Sequence, residues 1–428
     1  MQTSESNGGT PTSAVPAPAA AAVEKLNVKQ LVLLAGTMLA AMLTLILPVA
    51  QLDEFVSRLL PEGGADLALA NTAKGLFSTA HFAAYIPFAF IWGALSDRRG
   101  SRKPFLLMGL LGQAVMYAII PYVPNIWALY AARFVEGIFA IAVVSMLMTM
   151  AVDMAPANRR GMTLGIFTLG MLLGNAMGAP LGGQLTEAFG YAAPFLAGTA
   201  VLLVMAGMVT LFVRDTSGLA HAYSFRESLA ILRTNPRLYV PYAFSLLDRL
   251  TVGFFVGQFP VLAREIYGLE PRQTGVYLAV FLACFALFAP LGGLLSDRLG
   301  RVRPMLLGTL IYGFTLMLVG RASPEMLYVV MAVGGLSGAV LYPPSIALVG
   351  DYAGPRQRGV AMGGFNLAGS IGFAAGPLLF SLIADASNLL VPPLVAGALC
   401  LLAVALAAPV LLRRASGEPS LKPQLEGE

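Results

Sequence analysis

The sequence predicts an all-α integral membrane protein of twelve transmembrane helices arranged as two pseudo-symmetric six-helix halves, and three observations predict it. The first is composition. Of 428 residues, 57% are hydrophobic and 11% charged, with a mean hydropathy of +0.76, whereas soluble domains carry about 25% charged residues; an ordinary soluble enzyme is excluded. The second is the recurrence of apolar segments near 30–52, 72–95, 104–123, 126–151, 161–185, 190–213, 238–263, 273–295, 304–321, 325–349, 360–384 and 389–412, each matching the roughly 20 residues that a span needs. The third is repetition: GALSDRRGSRKP at 93–104 returns as GLLSDRLGRVRP at 293–304, and DMAPANRRGMTLG at 153–165 returns as DYAGPRQRGVAMG at 351–363. Repeats of this kind place a binding site near the bilayer midplane between the halves, reached alternately from each side.

Residues 1–27, dominated by Ala, Pro, Ser, Thr and Gly, have too little apolar weight to pack and are expected to form a disordered tail. Lys25 and Lys29 lead into a long apolar run, so the first helix reads as retained and not as a cleaved signal. The halves are expected at 28–213 and 238–412, joined by a linker at 214–237 and followed by a tail at 413–428. Placing the tails, the linker and the loops after segments 2, 4, 8 and 10 on one side collects 20 of the 27 Lys and Arg residues. The opposite loops hold five: Arg58, Lys74, Arg264, Arg272 and Arg321. Because Lys and Arg accumulate in cytoplasmic loops, both termini are expected in the cytoplasm. The protein is then placed in the plasma membrane, the inner one in a Gram-negative bacterium. The net charge of +5 is a topology signal and calls for no nucleic acid.

The first segment carries Met38 but no acid at its middle; Asp53 and Glu54 lie at its outer end. His81, alone in the second segment, reads either as a buried neutral imidazole with one hydrogen bond or as a proton relay. The loop that follows holds Gly93, Asp97, Arg98, Gly100, Arg102 and Lys103, and its copy holds Gly293, Asp297, Arg298, Gly300, Arg301 and Arg303. Gly93 and Gly293 are expected to let a neighbouring helix approach, and Gly100 and Gly300 to take the positive-φ conformation of a tight loop. Asp97 and Asp297 are placed to pair with arginines and to face a helix N-terminus.

These paired loops resemble the signature of the major facilitator superfamily, close to its drug:proton antiporter branch, and the resemblance covers nearly the whole hydrophobic chain. It implies that the aspartate latches a cytoplasmic gate in the outward-open state, with Arg159, Arg160, Arg356 and Arg358 as candidate partners. In the fourth segment, Leu129, Arg133, Glu136 and Gly137 resemble a pattern of proton-linked members, in which glutamine is more usual at the position of Glu136. Arg133 and Glu136 are three residues apart and can pair on one helix face.

The fifth segment has Gly170, Gly174, Gly178 and Gly182 at four-residue spacing, then Gly183, with Pro180 inside. Such a stripe permits close packing. It resembles the antiporter-associated motif, shifted by Ala179, and the eleventh segment echoes it at Gly364, Ala368, Gly372, Gly376 and Pro377. Asp248 and Arg249 fall about mid-span in the seventh segment. Burial and an adjacent guanidinium act on a carboxylate in opposite senses, which makes these two, with Arg133 and Glu136, the proton-coupling candidates; an ion pair between helices 4 and 7 is the structural alternative. In the tenth segment Pro343–Pro344 is expected to kink or break the helix.

The resemblance further implies that helices 1, 4, 7 and 10 surround a central cavity, for which Met38, Met146, Phe255, Gln258 and Tyr342 are the candidate lining. Such a lining suits an amphipathic solute better than a sugar. The expected function is therefore secondary active transport by alternating access, as proton-coupled efflux. The alternatives are a proton- or sodium-coupled symporter importing a nutrient and a lipid-handling or sensory membrane protein. No GxxxxGK[ST] loop occurs, and Cys284 and Cys400 lie in apolar runs. No enzymatic activity, cofactor or metal is expected; the partners are a small-molecule substrate, a coupling ion and the lipid bilayer, and the protein is expected to act as a monomer.

Overall fold

The computed structural model describes residues 28–60, 69–154, 160–215 and 225–417; within them, the side chains of 160–162, 164, 225–229, 354–356, 410 and 413–417 are outside the description. Among the described residues there are no strands. The helices are α1 (Val28–Ile46), α2 (Leu52–Ser57), α3 (Ala70–Ala83), α4 (Tyr85–Arg99), α5 (Lys103–Ile119), α6 (Ile126–Asp153), α7 (Arg160–Phe189) and α8 (Ala193–Phe212). They continue as α9 (Phe225–Thr234), α10 (Tyr239–Gly257), α11 (Phe259–Tyr267), α12 (Pro271–Leu299), α13 (Val302–Leu318), α14 (Pro324–Ala386) and α15 (Val391–Gly417).

Local chemistry sets many of the boundaries. Pro48 follows the end of α1, and a residue that precedes proline is pushed out of the helical region. The Asn125 side chain accepts the Ala128 N–H at the start of α6, and that of Ser323 accepts the Met326 N–H at the start of α14. Glu270 and Gln273 form a capping box at the start of α12, which satisfies N–H groups that no helical carbonyl reaches. Gly100 and Gly300 have φ of 63° and 81°, as a tight turn after α4 and α12 requires.

Among the described residues, ten helices are long and apolar enough to cross a membrane. An eleventh span is the pair Pro236–Gly257 and Phe259–Tyr267, bent by 45° where Pro260 opens α11. Beside them stands the shorter apolar helix α13, at 17 residues. The 63-residue run α14 holds two of the ten, Pro324–Ala353 and Gln357–Ala386. Tyr342 and Phe365 have ring centroids 6.3 Å apart, although a straight helix would separate them by about 35 Å; the chain turns back between them. Pro343–Pro344 does not break the run: helical structure continues through both residues, as packed membrane helices tolerate.

The bundle has two ends. One carries the repeated loops at 93–104 and 293–304; the other, the far end, carries α2, the start of α3, α11 and the close of α14. One buried apolar cluster is built almost wholly by residues before 215, among them Leu34, Met38, Phe77, Met146 and Phe195. A second is built mainly by residues after 238, with Phe82, Tyr85, Ile141 and Ala179 contributed from the earlier part of the chain. Contacts of α3 with α14 and of α7 with α12 join the two parts.

Candidate functional site

The glycine stripes determine which faces the helices present to one another. A Cβ at Gly170, Gly174, Gly178 or Gly182 would lie 2.5, 2.2, 2.7 or 1.8 Å from the backbone oxygens of Ala35, Leu39, Leu43 and Leu47, one per turn along α1. Gly183, one residue on, meets the Pro271 carbonyl at 2.3 Å, so α7 is wedged between α1 and α12 next to Pro180. The eleventh segment repeats this against α10: Gly372 and Gly376 sit on the carbonyls of Leu246 and Leu250, at 2.3 and 2.4 Å. Gly293 departs from expectation, because a Cβ there would meet nothing within 4 Å. Its neighbour Gly292, about 100° around the helix, makes the close approach, 2.0 Å from the Ala339 carbonyl.

Three polar clusters stand in this frame. At the loop end, Arg102 is buried and pairs with Asp97; its guanidinium donates to the Ser96 hydroxyl at 2.5 Å and lies 3.7 Å from Asp153. The second copy repeats the set: Arg301 pairs with Asp297, donates to Ser296 at 2.8 Å and lies 3.3 Å from Asp351. Thus each aspartate pairs with an arginine of its own loop. Arg159 lies outside the described residues, as do the side chains of Arg160 and Arg356, and Arg358 approaches Gly350. Arg98 and Arg298 are exposed in the last turns of α4 and α12, where the helix dipole favours a cation. Sequence reading missed Asp153 and Asp351, although each heads one copy of the second repeat.

The second cluster is fully buried. Glu136 accepts from Gln113 Nε2 and from Arg133, each at 2.9 Å, and from His81 Nδ1. His81 Nε2 lies 3.1 Å from the Tyr85 hydroxyl; a tautomer with its proton on Nδ1 satisfies both contacts. The Arg133 guanidinium also sits 4.3 Å from the Phe77 ring centroid. Gly137 permits the approach, since a Cβ there would lie 2.2 Å from the His81 carbonyl. His81 is therefore not solitary, and Arg133 and Glu136 pair with each other, as their spacing allowed.

The third cluster lies in α10. Asp248 is buried, and Arg249 Nε lies 3.7 Å from its carboxylate. The Arg249 guanidinium is 4.3 Å from the Tyr342 ring centroid and 5.1 Å from that of Phe373. Phe373 in turn stacks on Phe82 of α3 at 4.8 Å, and Phe82 meets His81 edge-on at 4.8 Å. A short aromatic bridge thus separates the two intramembrane charge clusters, in place of the ion pair between helices 4 and 7 that was the structural alternative: Glu136 is occupied by Arg133 and His81, and Arg249 by Asp248 and two rings.

Four of the five candidate lining residues are buried in this arrangement. Met38 and Met146 are fully buried in one apolar cluster, and Phe255 stacks on Phe281 at 4.5 Å inside the other. Gln258, fully buried at the α10–α11 bend, accepts from the Ser381 hydroxyl at 2.9 Å. Tyr342 alone of the five is half-buried and faces a charged group. Helix number gives no rotation, and each helix turns only part of its surface inward. Phe82 and Phe373, stacked on each other at 4.8 Å, belong to helices outside the numbered set.

The model of the Major Facilitator Superfamily matches residues 30–262 and 242–427. A tetracycline resistance protein, class G, from Vibrio anguillarum is 29% identical over 315 residues, covering 71% of this chain and 78% of its own. The multidrug resistance protein MdtG of Dickeya zeae is 30% identical over 305 residues, covering 67% and 72%. Among solved structures, a bacterial homolog of the human lysosomal transporter Spinster, inward-facing and unoccupied, aligns with a TM-score of 0.76 at 14% identity, over 91% of this chain and 98% of that one.

Proposed function

The chain belongs to the Major Facilitator Superfamily, and we propose that it exports a small amphipathic organic solute in exchange for protons, by alternating access of a site between halves 28–213 and 238–412. The observation that carries this reading is the Asp248–Arg249 pair, buried in the middle of a span beside Tyr342 and Phe373. An intramembrane ionisable pair is costly and marks a substrate or proton path. The aromatic rings offer flat apolar faces, and the Asp248 carboxylate can hold either a proton or the positive end of a bound solute. Proton binding and solute binding would then compete for one carboxylate, which is the differential interaction that coupling needs. Outward transport is supported by the relatives named for tetracycline and multidrug resistance.

The basic loops orient both termini to the cytoplasm. The far end then faces outward, and the arrangement described above is closed on that side. Expression in a bacterial host stripped of its own drug exporters tests the proposal. Tetracycline or a lipophilic cationic dye should accumulate less than in a vector control, and a protonophore should erase the difference. Equal accumulation of a broad panel, with the protein present in the membrane, contradicts it.

A further inference from the structure

We infer that Asp385 is a positioning residue of the transport cycle: it latches the far end shut by capping, across the interface between the halves, the N-terminus of α3. The N-cap residue of α3 is Leu69, whose apolar side chain caps nothing. The cap comes from 313 residues away. Asp385 Oδ1 accepts the Asn71 N–H at 3.1 Å, and Oδ2 accepts the Thr72 N–H at 2.7 Å and the Thr72 hydroxyl at 2.5 Å. These are the second and third N–H groups of the helix, at the positive end of its dipole, where a carboxylate is favoured.

The contact heads an antiparallel seam between α3 and α14. One turn below, a Cβ at Gly75 would lie 2.2 Å from the Ser381 hydroxyl and 2.6 Å from the Pro377 carbonyl. Further down, Phe82 stacks on Phe373 of α14, while Ser78 donates to the Val256 carbonyl of α10 at 3.2 Å. Beside the seam, Arg264 binds Glu54 at 2.7 Å, again across the two halves. Opening the far end must part α3 from α14, so all three Asp385 bonds exist only in the closed arrangement. A cap within one half would persist in both states; this one biases the equilibrium between them. The inference rests on the alternating-access reading above.

Its test is a spin-label distance measurement on the full chain in lipid nanodiscs, with Cys284→Ser and Cys400→Ser as background and labels at Ser57→Cys and Glu325→Cys, both exposed at the far end. Asp385→Asn should raise the ratio of long to short distances about fivefold, the factor that one favourable cap contact represents. Thr72→Val, which removes one bond of the three, should move the ratio less and in the same direction, and Asp385→Glu should restore part of it. Two populations whose ratio is unchanged by Asp385→Asn and Thr72→Val overturn the latch alone. A single invariant distance in the parent protein across pH and substrate overturns the alternating-access reading together with the latch.

Discussion

In the proposed exchange, Asp248 is the residue on which coupling turns. A buried carboxylate next to a guanidinium changes its protonation when either the burial or the guanidinium changes, and Arg249 has two aromatic rings as alternative company. Asp248→Asn should abolish substrate-driven proton release while leaving folding intact, measured by proton flux from liposomes beside thermal unfolding in detergent. Proton-coupled rates equal to those of the parent would remove Asp248 from the mechanism. The charged residues of the spans were legible in the sequence because each is an exception in an apolar run. Their partners were not. Whether Arg133 meets Glu136 or Asp248 depends on how each helix is rotated, and no residue in helix 4 or 7 records that rotation locally. His81 shows the same limit, since its partner Glu136 is 55 residues away and on another helix.

Helix packing is where the sequence was most readable. A glycine every fourth residue in the fifth segment implied one smooth face, and the structure lays that face on the α1 backbone over four turns. Gly182→Ala should therefore push α7 away from α1, because its Cβ would lie 1.8 Å from the Leu47 carbonyl, and backbone cannot yield as a flexible side chain can. Overpacking of this kind costs about 1–3 kcal/mol, so the thermal midpoint in detergent should fall. Gly207→Ala, at a site with nothing within 4 Å, should leave it level or raise it. Equal responses would show that the stripe is not a packing surface. Elements were misread where tertiary context outweighed a local rule. The Pro343–Pro344 pair leaves its helix continuous, whereas the single Pro260 coincides with a 45° bend. Proline frees backbone groups in both cases, and the neighbours decide whether the axis turns there.

At the scale of the whole molecule, the two ends of the bundle differ in how they are held. At the loop end, Asp97–Arg102–Asp153 and Asp297–Arg301–Asp351 each tie residues of one repeat together. At the far end, Glu54–Arg264 and the Asp385 contacts join one repeat to the other. Asp97→Asn should accordingly slow turnover while substrate binding is retained, read as a fall in kcat at nearly constant Kd; unchanged turnover would take Asp97 out of the gate. The repeated loops made this architecture visible in the sequence, since two copies of Gly, Asp and Arg at one spacing demand a shared geometry. Asp385 left no such trace, because its role depends on the register of two helices 313 residues apart.

The central claim is that proton and solute movements are coupled. It is tested most directly with the purified protein in liposomes carrying a trapped pH dye and an imposed pH gradient, challenged with lipophilic cations, phenolics, amino acids and sugars. Proton movement against solute movement, elicited by amphipathic members of the panel and lost in Asp248→Asn, is the predicted result. Folded, correctly inserted protein that moves solute with no change in the dye signal would contradict it.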